Sequence, residues 1–153
     1  MRAGAVILLL MLSVTAVSAL KITVFYVDGN MQPHPTQVIV SAEENPIVVL
    51  FTYLQSPPSR YLSLMPKDSV NAVYIVYDTI YVDLKKEKFK YWRFEDARLF
   101  VHSLVCSIFQ SLEGIHWVKL LLDGEDGVLG GWIETTYKFG REVWQYWPVE
   151  KTR

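Results

Sequence analysis

The chain has 153 residues, of which 51% are apolar, 14% aromatic and 20% charged. This composition is too apolar for a disordered protein, and the length suits one globular domain. Fifteen basic and sixteen acidic side chains leave a net charge of −1, so no overall positive field attracts a polyanion and we expect no nucleic-acid partner. The single cysteine, Cys106, excludes an intramolecular disulfide and a metal site built from several cysteines.

The first twenty residues have the order of an export signal. Arg2 is followed by residues 3–20, which carry no charge, are most apolar at their centre and end in small side chains. We therefore predict a signal peptide over residues 1–19, cleaved before Leu20, and an extracytoplasmic protein. The alternative is an uncleaved anchor, the only case in which we expect a membrane contact, but the uncharged run is slightly shorter than the roughly 20 residues that span a bilayer.

Two strands and a helix are predicted for the first part of the mature chain. Residues 22–27 are β-branched and aromatic and precede an Asp-Gly turn, which predicts a strand, and residues 37–41 predict a short second strand. Asn45 can cap a helix whose first position is Pro46 and which must end before Pro57.

A hairpin and a long helix are predicted next. Residues 72–77 and 80–84 alternate apolar and polar side chains on either side of a two-residue turn at Asp78 and Thr79. An apolar stripe at helical spacing predicts a helix over residues 95–112.

Two further strands complete the predicted domain. The strand over residues 116–123 should point Val118, Leu120 and Leu122 inward and Lys119 outward to solvent. A last strand is predicted within residues 132–139. The order β-β-α-β-β-α-β-β favours an α+β fold, a two-layer sandwich in which a mostly antiparallel sheet carries both helices on one face. We assign residues 20–140 to this domain and residues 141–153 to an aromatic C-terminal tail.

Five segments combine strand and turn residues in a recognisable succession. They are residues 22–26 (ITVFY), 53–57 (YLQSP), 62–69 (LSLMPKDS), 81–84 (YVDL) and 118–124 (VKLLLDG). This succession resembles the GerMN domain of bacterial sporulation and spore-germination proteins, over nearly the whole mature chain up to Gly124. The chain departs from the family at Ser56 and Asp68, where glycine is usual, and both differences concern turn geometry.

The resemblance implies an extracytoplasmic domain without catalytic activity, similar in topology to ring-building modules, that contacts other envelope proteins or copies of itself. It implies a class of protein rather than a biological process, since such domains also occur in envelope proteins of bacteria that do not sporulate.

Candidate catalytic groups are few. His34, His102 and His116 are far apart in sequence, at no metal-ligand spacing, and no acidic partner is predicted for them. Cys106 follows His102 by four residues, so the two are neighbours on a helix, which is the one arrangement that resembles an activated thiol. Because no third group or oxyanion hole accompanies the pair, we predict no enzyme activity, no catalytic residue and no cofactor.

The acidic segment over residues 123–127 resembles a calcium loop only in composition. It lacks the alternating ligands and the distant closing glutamate of a twelve-residue site. Asp-Gly pairs are typical of tight turns, so we predict a turn and no metal site.

A basic connector, residues 85–94, interleaves five cations with four aromatic side chains. This pattern suits anionic polymers or lipid headgroups. The favoured alternative is a connector whose lysines are solvated and whose aromatic side chains pack beneath them. The candidate contact residues are Lys86, Lys88, Lys90, Tyr91 and Trp92.

An aromatic cluster follows the last predicted turn, and it is too large for a short exposed tail to leave in water. We expect it to fold back over the sheet or over the outer surface of the second helix; binding of a partner and stacking on sugar rings are the alternatives. Its members are Trp132, Tyr137, Phe139, Trp144, Tyr146 and Trp147, of which Trp144, Tyr146 and Trp147 are the candidate contact residues.

Three functions remain open from the sequence. The leading hypothesis is an interaction module of the cell envelope that uses a free edge strand, or the sheet face bearing Tyr74, Tyr81 and Asp83, to contact an envelope protein or itself. The second is a binding domain for a cell-wall polysaccharide, through the aromatic and basic stretches. The third is a small hydrolase, which requires a convergent polar cleft that the sequence does not indicate.

Overall fold

The computed structural model describes residues 19–146, so the predicted signal peptide up to Ser18, together with Trp147, lies outside the described residues. Within this range no helix has the length and apolar character needed to cross a membrane. The strands are β1 (Ala19–Val27), β2 (Pro33–Ser41), β3 (Val70–Val76), β4 (Thr79–Leu84), β5 (Trp117–Leu122), β6 (Val128–Leu129), β7 (Ile133–Glu134) and β8 (Phe139–Gly140). The helices are α1 (Pro46–Gln55), α2 (Phe94–Ser111) and α3 (Arg141–Trp144).

The strands form three sheets. β1 and β2 form an antiparallel hairpin, β6 and β7 form a small one, and the main sheet has the order β3-β4-β5-β8. Its central pair, β4 and β5, is parallel because α2 carries the chain from the end of one strand back to the start of the other, while its other pairs are antiparallel. The predicted α+β sandwich is confirmed.

One hydrophobic core lies between the helices and the main sheet. Alternate residues of β4 and β5 point into it, as the alternation of the sequence predicts. Three side chains of α1 join the same hydrophobic cluster next to β1. Each fully buried aliphatic side chain in such a core stabilises the fold by about 1.5–3 kcal/mol. These inward residues are Ile80, Val82, Leu84, Val118, Leu120 and Leu122 in the sheet and Leu50, Phe51 and Leu54 in α1.

The start of α1 is fixed by its cap. Asn45 Oδ1 accepts hydrogen bonds from the N–H groups of Ile47, at 2.9 Å, and Val48, at 3.5 Å. Pro46 occupies the first helical position, where a missing N–H costs nothing. The predicted cap and helix start are therefore confirmed.

Three serines on one face of α2 hydrogen-bond to the edge of β1, and we call them the serine ladder: Ser103, Ser107 and Ser111. Ser107 Oγ accepts from Phe25 N at 2.8 Å, Ser111 Oγ accepts from Thr23 N and donates to Thr23 O, both at 2.9 Å, and Ser103 Oγ donates to Phe25 O. The spacings match because four helical residues rise about 6 Å and two strand residues about 6.6–6.8 Å.

The turn between β3 and β4 lies one residue earlier than predicted. Val76 pairs with Thr79, so the turn residues are Tyr77 and Asp78 rather than Asp78 and Thr79. Thr79 is buried and also pairs with Trp117 of β5, which makes it part of the sheet. Tyr77 takes the left-handed conformation, with φ 56°, at the first turn position.

The single strand predicted within residues 132–139 is wrong, because β7 and the start of β8 are separate short strands. Lys119 accounts for the difference. Its ammonium group donates to the carbonyl oxygens of Thr135, at 2.6 Å, and Thr136, at 2.8 Å, and pairs with Asp126. Lys119 is only 8% exposed, so the expectation that it points to solvent is also wrong: the segment between β5 and β8 folds over it.

Candidate interaction surfaces

The outer edge of β3 is an open strand edge. Within residues 19–146, β3 pairs with β4 alone, and none of its seven residues is charged. Val76 and Thr79 flank the two-residue turn and therefore form a hydrogen-bonded pair. Because such pairs alternate along a ladder, the N–H and C=O groups of Val73 and Ile75 point away from β4. They form a row of backbone donors and acceptors at the surface.

The other long strands have protected edges. The serine ladder occupies the outer edge of β1, and Leu62 N donates to Val27 O at 2.7 Å next to it. Pro33 and Pro35 lie on β2 opposite Val27 and Phe25, at positions that face away from β1, and proline offers no N–H there. β3 has no proline and no charge, and its one irregularity is the shift in register between Val70 and Ala72, which precedes the outward residues Val73 and Ile75.

Two tyrosines stand side by side on the sheet face that the helices leave uncovered. Tyr74 of β3 and Tyr81 of β4 stack with ring centroids 5.0 Å apart and planes 3° apart. Lys138 Nζ lies 5.9 Å from the Tyr81 ring, and Asp83 accepts from Gly124 N at 2.8 Å. Tyr74 thus stays exposed on the predicted face and Tyr81 is half-buried beside it, whereas Asp83 holds a turn.

The tip of the β3–β4 hairpin presents an aromatic ring to solvent. Tyr77 is 97% exposed and its backbone is left-handed, a conformation that costs a bulky residue about 1–3 kcal/mol. No packing of its own side chain offsets that cost. Backbone strain is concentrated at functional sites in proteins, so the hairpin tip is a candidate contact site.

The basic connector divides into an anchored part and an exposed part. It begins with a 3-10 turn over Lys86–Phe89, and Phe89 is buried against Trp92, with ring centroids 4.7 Å apart. The carbonyl of Trp92 accepts from Trp132 Nε1 at 2.8 Å, so Trp92 is a structural anchor. Tyr91 is 88% exposed, with Lys90 Nζ 5.4 Å from its ring. The candidates that remain at the surface are Lys86, Lys88, Lys90 and Tyr91.

The aromatic segment after β8 packs on the outer surface of α2. Trp144 stacks on His102, with ring centroids 4.6 Å apart, and its carbonyl accepts from Cys106 Sγ at 3.2 Å. Gln110 Nε2 donates to the carbonyl of Gln145 at 2.8 Å. Trp144 is therefore part of the fold, as the fold-back interpretation expects, whereas Tyr146 stays exposed.

His102 and Cys106 lie together under this segment, in an environment that suppresses charge. Burial, the largest effect, lowers the pKa of His102 to about 4, with Arg98 adding to the shift. Burial also raises the pKa of the Cys106 thiol to about 12. An imidazole-activated thiol needs the opposite shifts, because the reactive species is the thiolate.

The acidic segment after β5 is a tight turn. Asp123 and Gly124 have positive φ values of 53° and 83°. Asp123 accepts from Asn71 Nδ2 at 3.3 Å, and Asp126 pairs with Lys119, so these carboxylates hold local structure. Among the described residues, no group of three histidine, cysteine or acidic side chains could hold a metal ion.

His34 has an acidic partner, Asp28, that the sequence spacing did not indicate. His34 Nε2 lies 2.8 Å from Asp28 Oδ2, and this hydrogen bond is the main reason why the pKa of Asp28 is lowered. Asp28 Oδ1 also accepts from Asn30 N and Gln32 N. The pair therefore closes the turn between β1 and β2.

An open cleft beside β8 collects several ionisable side chains, and Arg141 dominates it. The guanidinium group of Arg141 donates to the carbonyls of Phe109, Leu112 and Ile115 at 2.6–2.7 Å, where α2 ends. Lys138 donates to Thr79 Oγ1 at 3.3 Å. The two basic groups are thus engaged in structural contacts. Its other ionisable lining residues are Asp78, His116 and Glu142.

The sequence profile of the Germane family, described as "Sporulation and spore germination", matches residues 23–128. The chain belongs to the Germane family. Its fold is also similar to the crystal structure of a Clostridium perfringens protein provisionally described as a lipoprotein. The TM-score is 0.55 at 18% identity, with 81% of this chain and 89% of the other covered. A search of curated proteins found no match. The Germane assignment confirms the resemblance inferred from the strand and turn motifs.

Proposed function

We propose that the protein is a non-enzymatic interaction module of the cell envelope that contacts another envelope protein, or itself, through the open edge of β3. The observation that carries this proposal is an uncharged strand with exposed backbone groups, beside two protected strands in the same domain. Proteins add strands at such edges, and the backbone bonds supply affinity while adjacent side chains supply specificity.

The envelope setting is supported by three observations. The N-terminal sequence has the order of an export signal. The Germane family is described by sporulation and germination, and the structural neighbour carries the provisional description of a lipoprotein. Together they favour an extracytoplasmic site of action for this chain.

The non-enzymatic part of the proposal is supported by the engaged polar groups. The thiol of Cys106 is held in its neutral form, and the basic side chains of the open cleft contact the fold itself. A catalytic site needs groups that converge on one point where a reacting atom can sit.

Site-specific photo-crosslinking in intact cells tests the proposal. A crosslinking amino acid replaces Tyr77, at the hairpin tip, in the full chain. Tyr137, which is 72% exposed in the segment between β7 and β8, is the matched control position. We expect a discrete crosslinked product from position 77 and none from position 137. Equal yields at both positions, or none at either, would contradict a contact at this edge.

A second candidate function is binding of an anionic cell-wall polymer, and the exposed pair of Lys90 and Tyr91 favours it. A ring and a cation side by side suit stacking on a sugar next to a negative group. Cosedimentation with purified cell wall is the test. Tyr91→Ala should lower the bound fraction while Tyr77→Ala leaves it unchanged; identical binding of both variants and the wild type would remove this candidate.

A further inference from the structure

The open edge of β3 is complementary to a second copy of itself, and we propose that two copies of this chain pair antiparallel through it. This inference rests on the proposed function and names the partner. A two-fold axis uses the same strand twice, so each favourable contact occurs in duplicate. β3 suits this arrangement because like charges cannot oppose each other along an uncharged strand.

The backbone groups and the charges that flank the strand select one register. The outward residues Val73 and Ile75 must face outward residues of the second copy. Pairing Val73 with Val73 would bring Asp78 opposite Asp68, two like charges. Pairing Ile75 with Ile75 would place Val73 opposite Tyr77, whose left-handed backbone cannot continue a ladder. Pairing Val73 with Ile75 separates the two aspartates and moves Tyr77 opposite Asn71, outside the two central hydrogen-bonded pairs.

The selected register places Tyr74 on the two-fold axis, opposite Tyr74 of the second copy. Tyr74 already stacks on Tyr81 within one copy, at 5.0 Å. Facing side chains at a position without backbone hydrogen bonds have Cβ atoms about 4.5–5.5 Å apart, which is also a stacking distance. The pair therefore forms a continuous row of four tyrosine rings and covers Tyr74, which is 44% exposed in one copy.

Cysteine crosslinking tests the register. In the selected pairing the two Tyr74 Cα atoms lie about 4.5 Å apart, within the range of a disulfide. Ile75 is equally exposed, at 44%, but faces Val73 of the second copy on the other side of the sheet. Under mild oxidation the exported full-length product with Tyr74→Cys should form a covalent dimer, whereas Ile75→Cys should not. The buried Cys106 leaves the wild type uncrosslinked. Equal crosslinking of both variants would overturn the register.

Opposite charges at position 74 provide a test that does not depend on disulfide geometry. The wild type should sediment with twice the mass of one chain. Tyr74→Lys and Tyr74→Glu should each weaken association by about tenfold or more, because like charges meet at the axis. Mixing the two variants should restore a dimer of one copy of each. Circular dichroism verifies that both variants are folded.

A wild type that remains monomeric at high concentration, or charge variants that fail to associate when mixed, would overturn the pairing. The proposed function is judged separately by the crosslinker at position 77. If that position captures a different envelope protein while the purified chain is monomeric, self-pairing is wrong and the proposed function stands. If position 77 captures nothing, the proposed function fails as well.

Discussion

Replacing Ser107 by alanine tests whether α2 holds β1 by hydrogen bonds in addition to packing. Ser107 is fully buried, and its hydroxyl accepts from Phe25 N at 2.8 Å. Alanine keeps the Cβ atom and favours the helix slightly more than serine does. The substitution therefore removes the acceptor of a buried N–H and changes little else.

The expected loss follows from the desolvated N–H group. A buried donor without an acceptor costs about 1–3 kcal/mol, and the better helix propensity of alanine returns about 0.5 kcal/mol. We expect the free energy of unfolding to fall by about 1–2 kcal/mol. For a domain of this size that loss corresponds to a decrease in Tm of about 4–8 °C.

Urea denaturation measures the free energy of unfolding, and hydrogen exchange at the Phe25 amide gives a local readout. The control is Ser63→Ala, because Ser63 is exposed and should change stability by less than about 0.5 kcal/mol. Faster exchange at Phe25 in Ser107→Ala alone would support the ladder. If Ser107→Ala is as stable as the control and the Phe25 amide exchanges at the wild-type rate, the ladder contributes nothing and the reasoning is wrong.

Three further substitutions have defined outcomes. The pKa of His102 is lowered to about 4, so the folded state binds fewer protons than the unfolded state, and stability falls as the pH decreases from about 6.5 to 4. His102→Gln should therefore reduce the loss in unfolding free energy between about pH 7 and pH 4.5 by up to about 2 kcal/mol. Arg141→Lys keeps the charge but cannot reach three carbonyls, so Tm should fall, with no change in the exposed control Lys67→Met. Equal Tm values for the two variants would argue that the bonds from Arg141 to the carbonyls at the end of α2 do not stabilise the fold. Lys119→Met leaves two carbonyls and Asp126 without their donor and should lower the unfolding free energy by about 2 kcal/mol or more. Asp126→Asn keeps the bonds from Lys119 to the carbonyls and should therefore cost less. A larger loss for Asp126→Asn in urea denaturation would contradict this explanation.

Features that depend on neighbouring residues could be predicted from the sequence. Asn45 and Pro46 specify the start of α1 through a cap that involves only the first helical turn. The alternation in β4 and β5 specifies which side chains face the core, since one face of each strand is buried. These elements follow from rules that act within a few residues.

Features that depend on distant residues could not be predicted. The serine ladder requires knowledge of which strand runs beside α2, and serines at spacing four are unremarkable in a helix. The second strand was predicted over residues 37–41, four residues shorter than β2, and the contact between His34 and Asp28 lies in the part that was left out. Tyr77 is a poor residue for a left-handed turn, and turn rules therefore favoured the next pair.

Of the contact residues proposed from the sequence, Trp92 and Trp144 serve the fold, because the ring of Trp92 packs against Phe89 and the ring of Trp144 stacks on His102. Composition identifies a cluster of rings but does not say which ring lies inside. The edge of β3, which the proposed function uses, corresponds in the sequence prediction only to an unspecified free edge strand.

The unequal protection of the strand edges limits how large an assembly can become. Growth into a fibre requires every subunit to offer two compatible edges, one to receive a neighbour and one to recruit the next. Here hydroxyl groups of α2 occupy the edge of β1, prolines interrupt that of β2, and the far edge of the main sheet is β8, a strand of only two residues, so within residues 19–146 a subunit joined through β3 offers no second long open edge. The proposed pairing through β3 should therefore end at a closed pair and not continue into a fibre.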